Sequence, residues 1–263
     1  MKITKPKRSA RPAPEQPRES FFLGLSSNLS TIAVGMFVLA FLFQNFAIPS
    51  SSMASTLLTG DHVLVDRVTF SPAARWAPFV HYRDPQRGDV VVFYKPIAET
   101  NGEHMHLVKR VIGVPGDRIH LRNGIVYLNG VAQNEPQAAK SNPGTYDPYI
   151  NDFPSVDPAV EPGVTAAWTV QMPGCIQGDD LVVPPGNYFV MGDNRPNSMD
   201  SRYWGFVPRE NIVGRPLFVY WSIQMPDSGS EEKPLSQQAQ VTFHEFIHFF
   251  DKTRWKRTFH PVR

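Results

Sequence analysis

The sequence predicts a mostly β protein, an antiparallel β domain behind an N-terminal transmembrane helix and interrupted by a long inserted loop region. Three observations carry this. Short β-branched runs recur between turn residues without helical stretches separating them. A run of 41 residues, Ser20 to Gly60, contains no charged side chain. Residues 134–180 hold seven prolines and little periodicity.

Residues 1–20 form a basic arm, in which Lys2, Lys5, Lys7, Arg8, Arg11 and Arg18 stand against Glu15 and Glu19 for a local balance of +4. Residues 21–48 read as the anchor, densest from Thr31 to Phe43. Leu29 to Ile48 supplies the roughly 20 residues that cross a bilayer core. The positive-inside rule keeps the arm in the cytoplasm and exports everything after about residue 48. A cleavable secretory signal is the alternative, because the densest apolar run is only 13 residues. Against it, no small-x-small pair precedes a cut near Ala47, and Pro49 would follow the cut closely.

The first part of the β core is expected over 49–133. Its strands are His62–Val68, Asp89–Tyr94 and Leu107–Val114, followed by Arg118–Val131 folded at Asn123-Gly124 and Asn129-Gly130. The inserted region, 134–180, follows. The core resumes over 181–225 with Asn187–Met191 and Leu217–Trp221. Residues 226–263 read as a polar linker and a basic amphipathic helix. In it Phe243, Phe246, Ile247 and Phe250 share a face ahead of Lys252, Arg254, Trp255, Lys256 and Arg257. Such a helix either packs on its own domain or lies on an anionic membrane.

A chain of 263 residues holds one large domain or two small ones. Net charge of +2 is too small to imply a nucleic-acid partner, and the single Cys175 rules out an internal disulfide. The 25 prolines argue for many turns and few long helices.

Two residues carry chemical promise. Ser52 sits in Ile48-Pro49-Ser50-Ser51-Ser52-Met53, about four to nine residues past the expected helix end. Lys109 sits in a strand with Leu107 and Val111 on its own face. Serine needs a base to take its proton. An ordinary lysine is neutral in only about one of a few thousand molecules at pH 7. A lysine desolvated by apolar neighbours loses its proton far more easily. By itself Lys109 also fits an edge-strand charge that deters aggregation.

The segments Ile48–Met53, Lys109–Asp117 and Gly192–Pro208 closely resemble the boxes of bacterial type I signal peptidases (leader peptidases), in the same order and behind a similar anchor. The resemblance implies a membrane-bound Ser/Lys-dyad endopeptidase, without metal or cofactor, that cleaves signal peptides after small residues. It implies Ser52 as nucleophile and Lys109 as general base, with Ser198 hydrogen-bonded to the amine. The Ser50 hydroxyl and the Ser52 N–H would form the oxyanion hole, and Asp200 and Arg202 would brace the site. Phe46, Ile48, Met53, Leu57, Val92 and Val108 would line shallow apolar pockets. The implied partners are signal-peptide-bearing preproteins, membrane lipid and a nearby secretion translocon. The implied place is the bacterial cytoplasmic membrane, single-pass, with the catalytic domain on the outer side. Ser51, Ser55 and Pro196 depart from the family's usual glycine, proline and aspartate.

Three rival readings exist. His244-Glu245-Phe246-Ile247-His248 matches the H-E-x-x-H zinc pattern, with Asp251 or His260 as the possible third ligand. The departures would also suit a non-catalytic, membrane-tethered binding module. A self-cleaving serine–lysine repressor is set aside, since such proteins carry a DNA-binding domain where this chain has its membrane helix. His104 and His106 are expected to be solvated rather than ligating.

Overall fold

The computed structural model describes residues 21–73, 81–96, 105–140, 144, 146–224 and 249–262. The chain divides into two units, residues 1–41 and 42–263.

The first unit contains helix α1, Phe21–Leu42, of 22 residues. Every described side chain from Ser26 to Phe41 is exposed, including Leu29, Ile32, Val34, Met36, Phe37, Leu39 and Phe41. Among the described residues no helix is long and apolar enough to cross a membrane; the side chains at 21–25 and 38 of α1 lie outside that count. The anchor expected to run to Ile48 is shorter as a helix. Phe43–Ala47 instead forms strand β1, paired antiparallel with β2, Asp61–Asp66, from Phe43 opposite Asp66 to Ala47 opposite His62. Gln44 and Asn45 explain the change. In a lipid-facing helix their amides would lack partners, whereas on this edge strand Asn45 is exposed and Gln44 half-exposed.

The second unit is built on two antiparallel sheets. The larger joins β1 and β2 to β12 (Ile212–Ser222), β3 (Val90–Tyr94), β4 (His106–Gly113), β10 (Asn187–Met191) and β11 (Val207–Pro208), in that order; β13 (His260–Pro261) pairs beside β12. The smaller runs β7 (Val131–Ala132), β6 (Ile125–Leu128), β5 (Arg118–Arg122), β9 (Asp180–Val182), β8 (Ile176–Gln177). The Asn123-Gly124 and Asn129-Gly130 turns take positive φ at both residues, as a two-residue turn matched to strand twist requires. The larger sheet curls: Phe46 of β1 meets His106 of β4 with ring centroids 5.0 Å apart, although β2, β12 and β3 intervene in the strand order.

Two apolar cores result. The larger gathers Val111, Ile119, Leu121, Leu181 and Phe189 from both sheets. The smaller lies inside the curl and holds Ile48, Met53, Leu57, Val63, Val65, Val90, Val92, Val219 and Val262.

The inserted region is more ordered than a loop. It contains α2, Pro148–Asn151, capped by the Asp147 carboxylate, and α3, Ala166–Gln171, capped by Thr165. It also supplies β8 and the first residue of β9. Tyr149, Phe153, Trp168 and Met172 enter the larger core. Its prolines shape short capped turns, and its aromatic residues supply the burial that periodicity did not reveal.

The expected C-terminal helix is corrected in part. Phe243, Phe246 and Ile247 lie outside the described residues, as does the His244-Glu245-x-x-His248 pattern. From Phe249 the chain makes one short helix, Phe249–Lys252, then a turn at Trp255–Arg257, and pairs as β13 on β12.

Candidate active site

Ser52 is carried on a loop pinched shut at its base. Ile48 N–H donates to Asp61 O (2.8 Å) and Gly60 N–H to Ile48 O (2.9 Å). Within the loop, Ser51–Met53 forms one tight turn. Its far side is tied to Gly192–Asn194, with Asn194 N–H donating to Ser52 O (3.0 Å) and Asn194 Nδ2 to Ser51 O (3.0 Å). The close approach requires a residue without a side chain: a Cβ on Gly192 would lie 2.4 Å from Ser52 O and 2.3 Å from Ser198 Oγ. Ser51, where the resemblance expects glycine, makes use of its hydroxyl by accepting from Asn197 Nδ2 at 3.1 Å.

Lys109 reaches the same point from β4, where it stands opposite Val91 of β3. A bulge follows at once, because Phe189 pairs with Gly113 while Val190 pairs with Val111, leaving Ile112 extra. As strand alternation predicts, Leu107 and Val111 belong with the larger core on the lysine's face. Lys109 Nζ donates to Ser52 Oγ, 57 residues away in sequence. The two side chains are 3% and 9% exposed, so little water reaches the pair. Burial lowers the Lys109 pKa from an ordinary 10.5 to about 8; nearby Asp200 pulls it back up, Arg202 lowers it, and Asp193 raises it. At that value about a tenth of the amine is neutral at pH 7.

Ser50 Oγ lies 3.3 Å from Ser52 Oγ. Asp200 and Arg202 are fully buried and paired, with Arg202 Nε to Oδ1 and Nη2 to Oδ2 both 2.8 Å. Asp200 also accepts from Gly192 N–H (3.0 Å), so the brace holds the glycine under the serine. Guanidinium and carboxylate each keep the other ionised.

Ser198 differs from expectation. It is buried beside Gly192, yet among the described residues its hydroxyl makes no hydrogen bond to Lys109 or to any other group. The six expected pocket residues do fall in or against one cluster, the smaller core. Ile48, Met53, Leu57 and Val92 are closed inside it, and only Phe46 and Val108 present partial surface. His106 is half-buried; its ring packs on Phe46 and Tyr94, and burial lowers its pKa. His104 lies outside the described residues, and His260 occupies the exposed β13.

Sequence reasoning missed a second buried pair next to the dyad. Arg110 donates to both Asp193 oxygens (2.8 and 2.6 Å), and Asp193 also accepts from Thr56 Oγ1, four residues past Ser52. The hint was present in sequence, since Arg110 follows Lys109 and Asp193 follows Gly192. A bidentate Arg195–Glu135 pair, at 2.8 and 2.6 Å, ties the start of the inserted region to the same loop.

Residues 24–221 match the family model described as signal peptidase, peptidase S26. The chain is 32% identical to a "Probable signal peptidase I-2" of Synechocystis over 80% of this chain and 78% of that protein. It is 31% identical to the signal peptidase I of Aquifex aeolicus, covering 79% and 88%. A second Synechocystis protein, "Probable signal peptidase I-1", is 34% identical over 75% and 83%.

Proposed function

The chain belongs to the peptidase S26 signal peptidase family, a serine endopeptidase that removes signal peptides, and from that premise we propose that Ser52 and Lys109 perform its chemistry. The contact between the buried Lys109 amine and the Ser52 hydroxyl carries this reading. Neither the zinc pattern nor the non-catalytic module gains support from the family match.

In the neutral amine the contact reverses, and Nζ accepts the hydroxyl proton as Oγ attacks the scissile carbonyl. The negative oxygen that forms faces the Ser52 N–H and the Ser50 hydroxyl. Lys109 then returns the proton to the departing amine, leaving an acyl-enzyme. A water molecule, deprotonated by the same lysine, releases the signal peptide. Ser198, buried with a free hydroxyl, stands ready to orient the amine once Nζ leaves Ser52 Oγ.

The substrate reaches the dyad as an extended strand. Among the described residues β1 pairs only with β2, and β4 pairs with β10 only at residues 110, 111 and 113, so two strand edges lie open near Phe46, His106 and Val108. Strand addition supplies backbone hydrogen bonds while side chains enter pockets. With Phe46 and Val108 as the accessible wall of a closed core, only small residues fit beside the scissile bond, the A-x-A pattern of signal peptides.

Helix α1 serves as the membrane anchor. Read from the sequence with the side chains at 21–25 and 38 included, its 22 residues carry no charge and would span about 33 Å, against a bilayer core of about 30 Å. Apolar side chains exposed on every face suit a lipid surround. The basic arm keeps the N-terminus cytoplasmic, so the catalytic unit works on the outer side, next to lipid and to preproteins leaving the translocon.

The test uses the full chain in detergent micelles with one A-x-A precursor. Ser52→Ala and Lys109→Ala should each abolish cleavage at unchanged thermal stability or better, and Lys109→Arg should fail because a guanidinium stays charged. Cleavage surviving in Ser52→Ala would overturn the assignment.

A further inference from the structure

The family match ends at residue 221, yet the described part of the tail reaches back to the loop that carries Ser52. It re-enters beside β12 through an Ile223–Thr253 bridge, with Arg254 N–H donating to Ser222 O at 2.8 Å. Phe259 N–H then donates to Val219 O (2.7 Å) and Val262 N–H to Leu217 O (3.0 Å). Val262 closes the core that contains Met53 and Leu57.

Two arginines of this segment hold the serine loop directly. Arg254 Nη1 donates to Thr59 O at 3.0 Å. Arg257 donates through Nε to Asp61 Oδ1 (3.1 Å) and through Nη2 to Asp61 Oδ2 (2.5 Å) and Thr56 O (3.0 Å). The Asp61 carboxylate is fully buried and also accepts from Ser222 Oγ (2.6 Å) and Leu58 N–H (2.8 Å). A buried carboxylate of this kind needs its cation. Thr56 is therefore gripped twice, by Arg257 at its carbonyl and by Asp193 at its hydroxyl. Its N–H donates to Met53 O, so the grip passes to the residue after the serine.

We infer that residues 253–262 form a clamp that positions the Ser52 turn against Lys109, with Arg257 as the positioning residue. This rests on Ser52 being the nucleophile. The clamp lets a segment beyond the shared family core set the register between nucleophile and base. Its other described ties run to Gly192–Asn197, to Lys109 at Ser52 Oγ and to Arg110, whose Nη2 donates to Thr56 Oγ1 at 3.3 Å.

The experiment measures precursor cleavage by the full chain in micelles for wild type, Arg257→Gln, Arg257→Lys, the double variant Arg257→Gln/Asp61→Asn and the neighbouring control Lys256→Gln. Folded fraction is followed by native-state proteolysis. Arg257→Gln should lower kcat roughly 10- to 100-fold, the scale of a slightly misplaced reacting group. KM should stay within about two-fold, because substrate binding is untouched. Arg257→Lys should recover part of kcat, and Lys256→Gln should behave as wild type. The double variant removes the unpaired buried charge, so it should regain thermal stability without regaining kcat. A folded Arg257→Gln enzyme at wild-type kcat, or a double variant that recovers kcat together with stability, would overturn the clamp. If Arg257→Gln does not fold, Arg257→Lys at wild-type kcat would overturn it equally. Ser52→Ala measured in parallel separates the two readings: cleavage surviving there strikes the nucleophile assignment, not the tail alone.

Discussion

At the scale of single residues, the role proposed for Lys109 carries a structural cost. Its amine loses its proton near pH 8 rather than 10.5 because it is buried. Cleavage should therefore climb with pH through about 8 and then level, measured as kcat/KM from pH 6 to 10 on one precursor. The same shift makes the fold pH-dependent. Between about 8 and 10.5 the unfolded chain holds a proton that the folded chain lacks, so stability should rise with pH across that window. Below it, burying the charged amine costs roughly 3 kcal/mol. Lys109→Met should thus be inactive, more stable than wild type at pH 6–7, and free of that slope in denaturant titrations. Gly192 offers a second test. A methyl group there meets the Ser52 carbonyl, a backbone atom with no room to retreat. Gly192→Ala should lose at least about 100-fold in kcat/KM with a lower melting temperature; an active, stable variant would show that the two loops can separate. The pairing of Ser52 with Lys109 was expected from the resemblance of their segments to the family's boxes; strand alternation said only which neighbours flank the lysine, and by itself it also fitted an edge-strand charge. That the buried Ser198 hydroxyl points to no described partner was not legible, since the rotation of one hydroxyl leaves no trace in sequence.

At the scale of elements, strands were read well wherever valine runs and Asn-Gly turns set both face and register. Asn187–Met191 forms β10 at the very residues expected. Reading failed where tertiary partners decided. The apolar run after Leu42 became β1 because β2 offers it a ladder, and the tail became β13 because β12 had an edge to share. The inserted region shows the same dependence. Trp168 donates its Nε1–H to Arg202 O at 2.9 Å, and the Tyr149 hydroxyl donates to that same oxygen. Arg202 in turn holds Asp200 and, through Arg195 O at 2.8 Å, the catalytic loop. Trp168→Ala should destabilise the protein by about 3–5 kcal/mol in urea titration, and should depress kcat at temperatures where it remains folded. Full activity in a folded variant would mean that the inserted layer only covers the core.

At the scale of the whole molecule, the Ser52–Lys109 contact lies within residues 42–263, while the proposed anchor falls almost wholly in the other unit, residues 1–41. A fragment comprising residues 42–263 should cleave precursor in detergent with kcat close to that of the full chain, yet fail to float with lipid vesicles. Flotation of the fragment equal to that of the full chain would place the main lipid contact outside α1. The smaller core links the remaining scales. Ile48, Met53, Leu57 and Val92 sit behind the wall that Phe46 and Val108 present, and they also hold the curled sheet together. Truncating Ile48, Met53, Leu57 or Val92 to widen a pocket there would open a void inside the curl. An antibiotic lodged there would press on side chains that a resistant bacterium could alter only by weakening the enzyme itself, leaving evasion to the rim or to the abundance of the target.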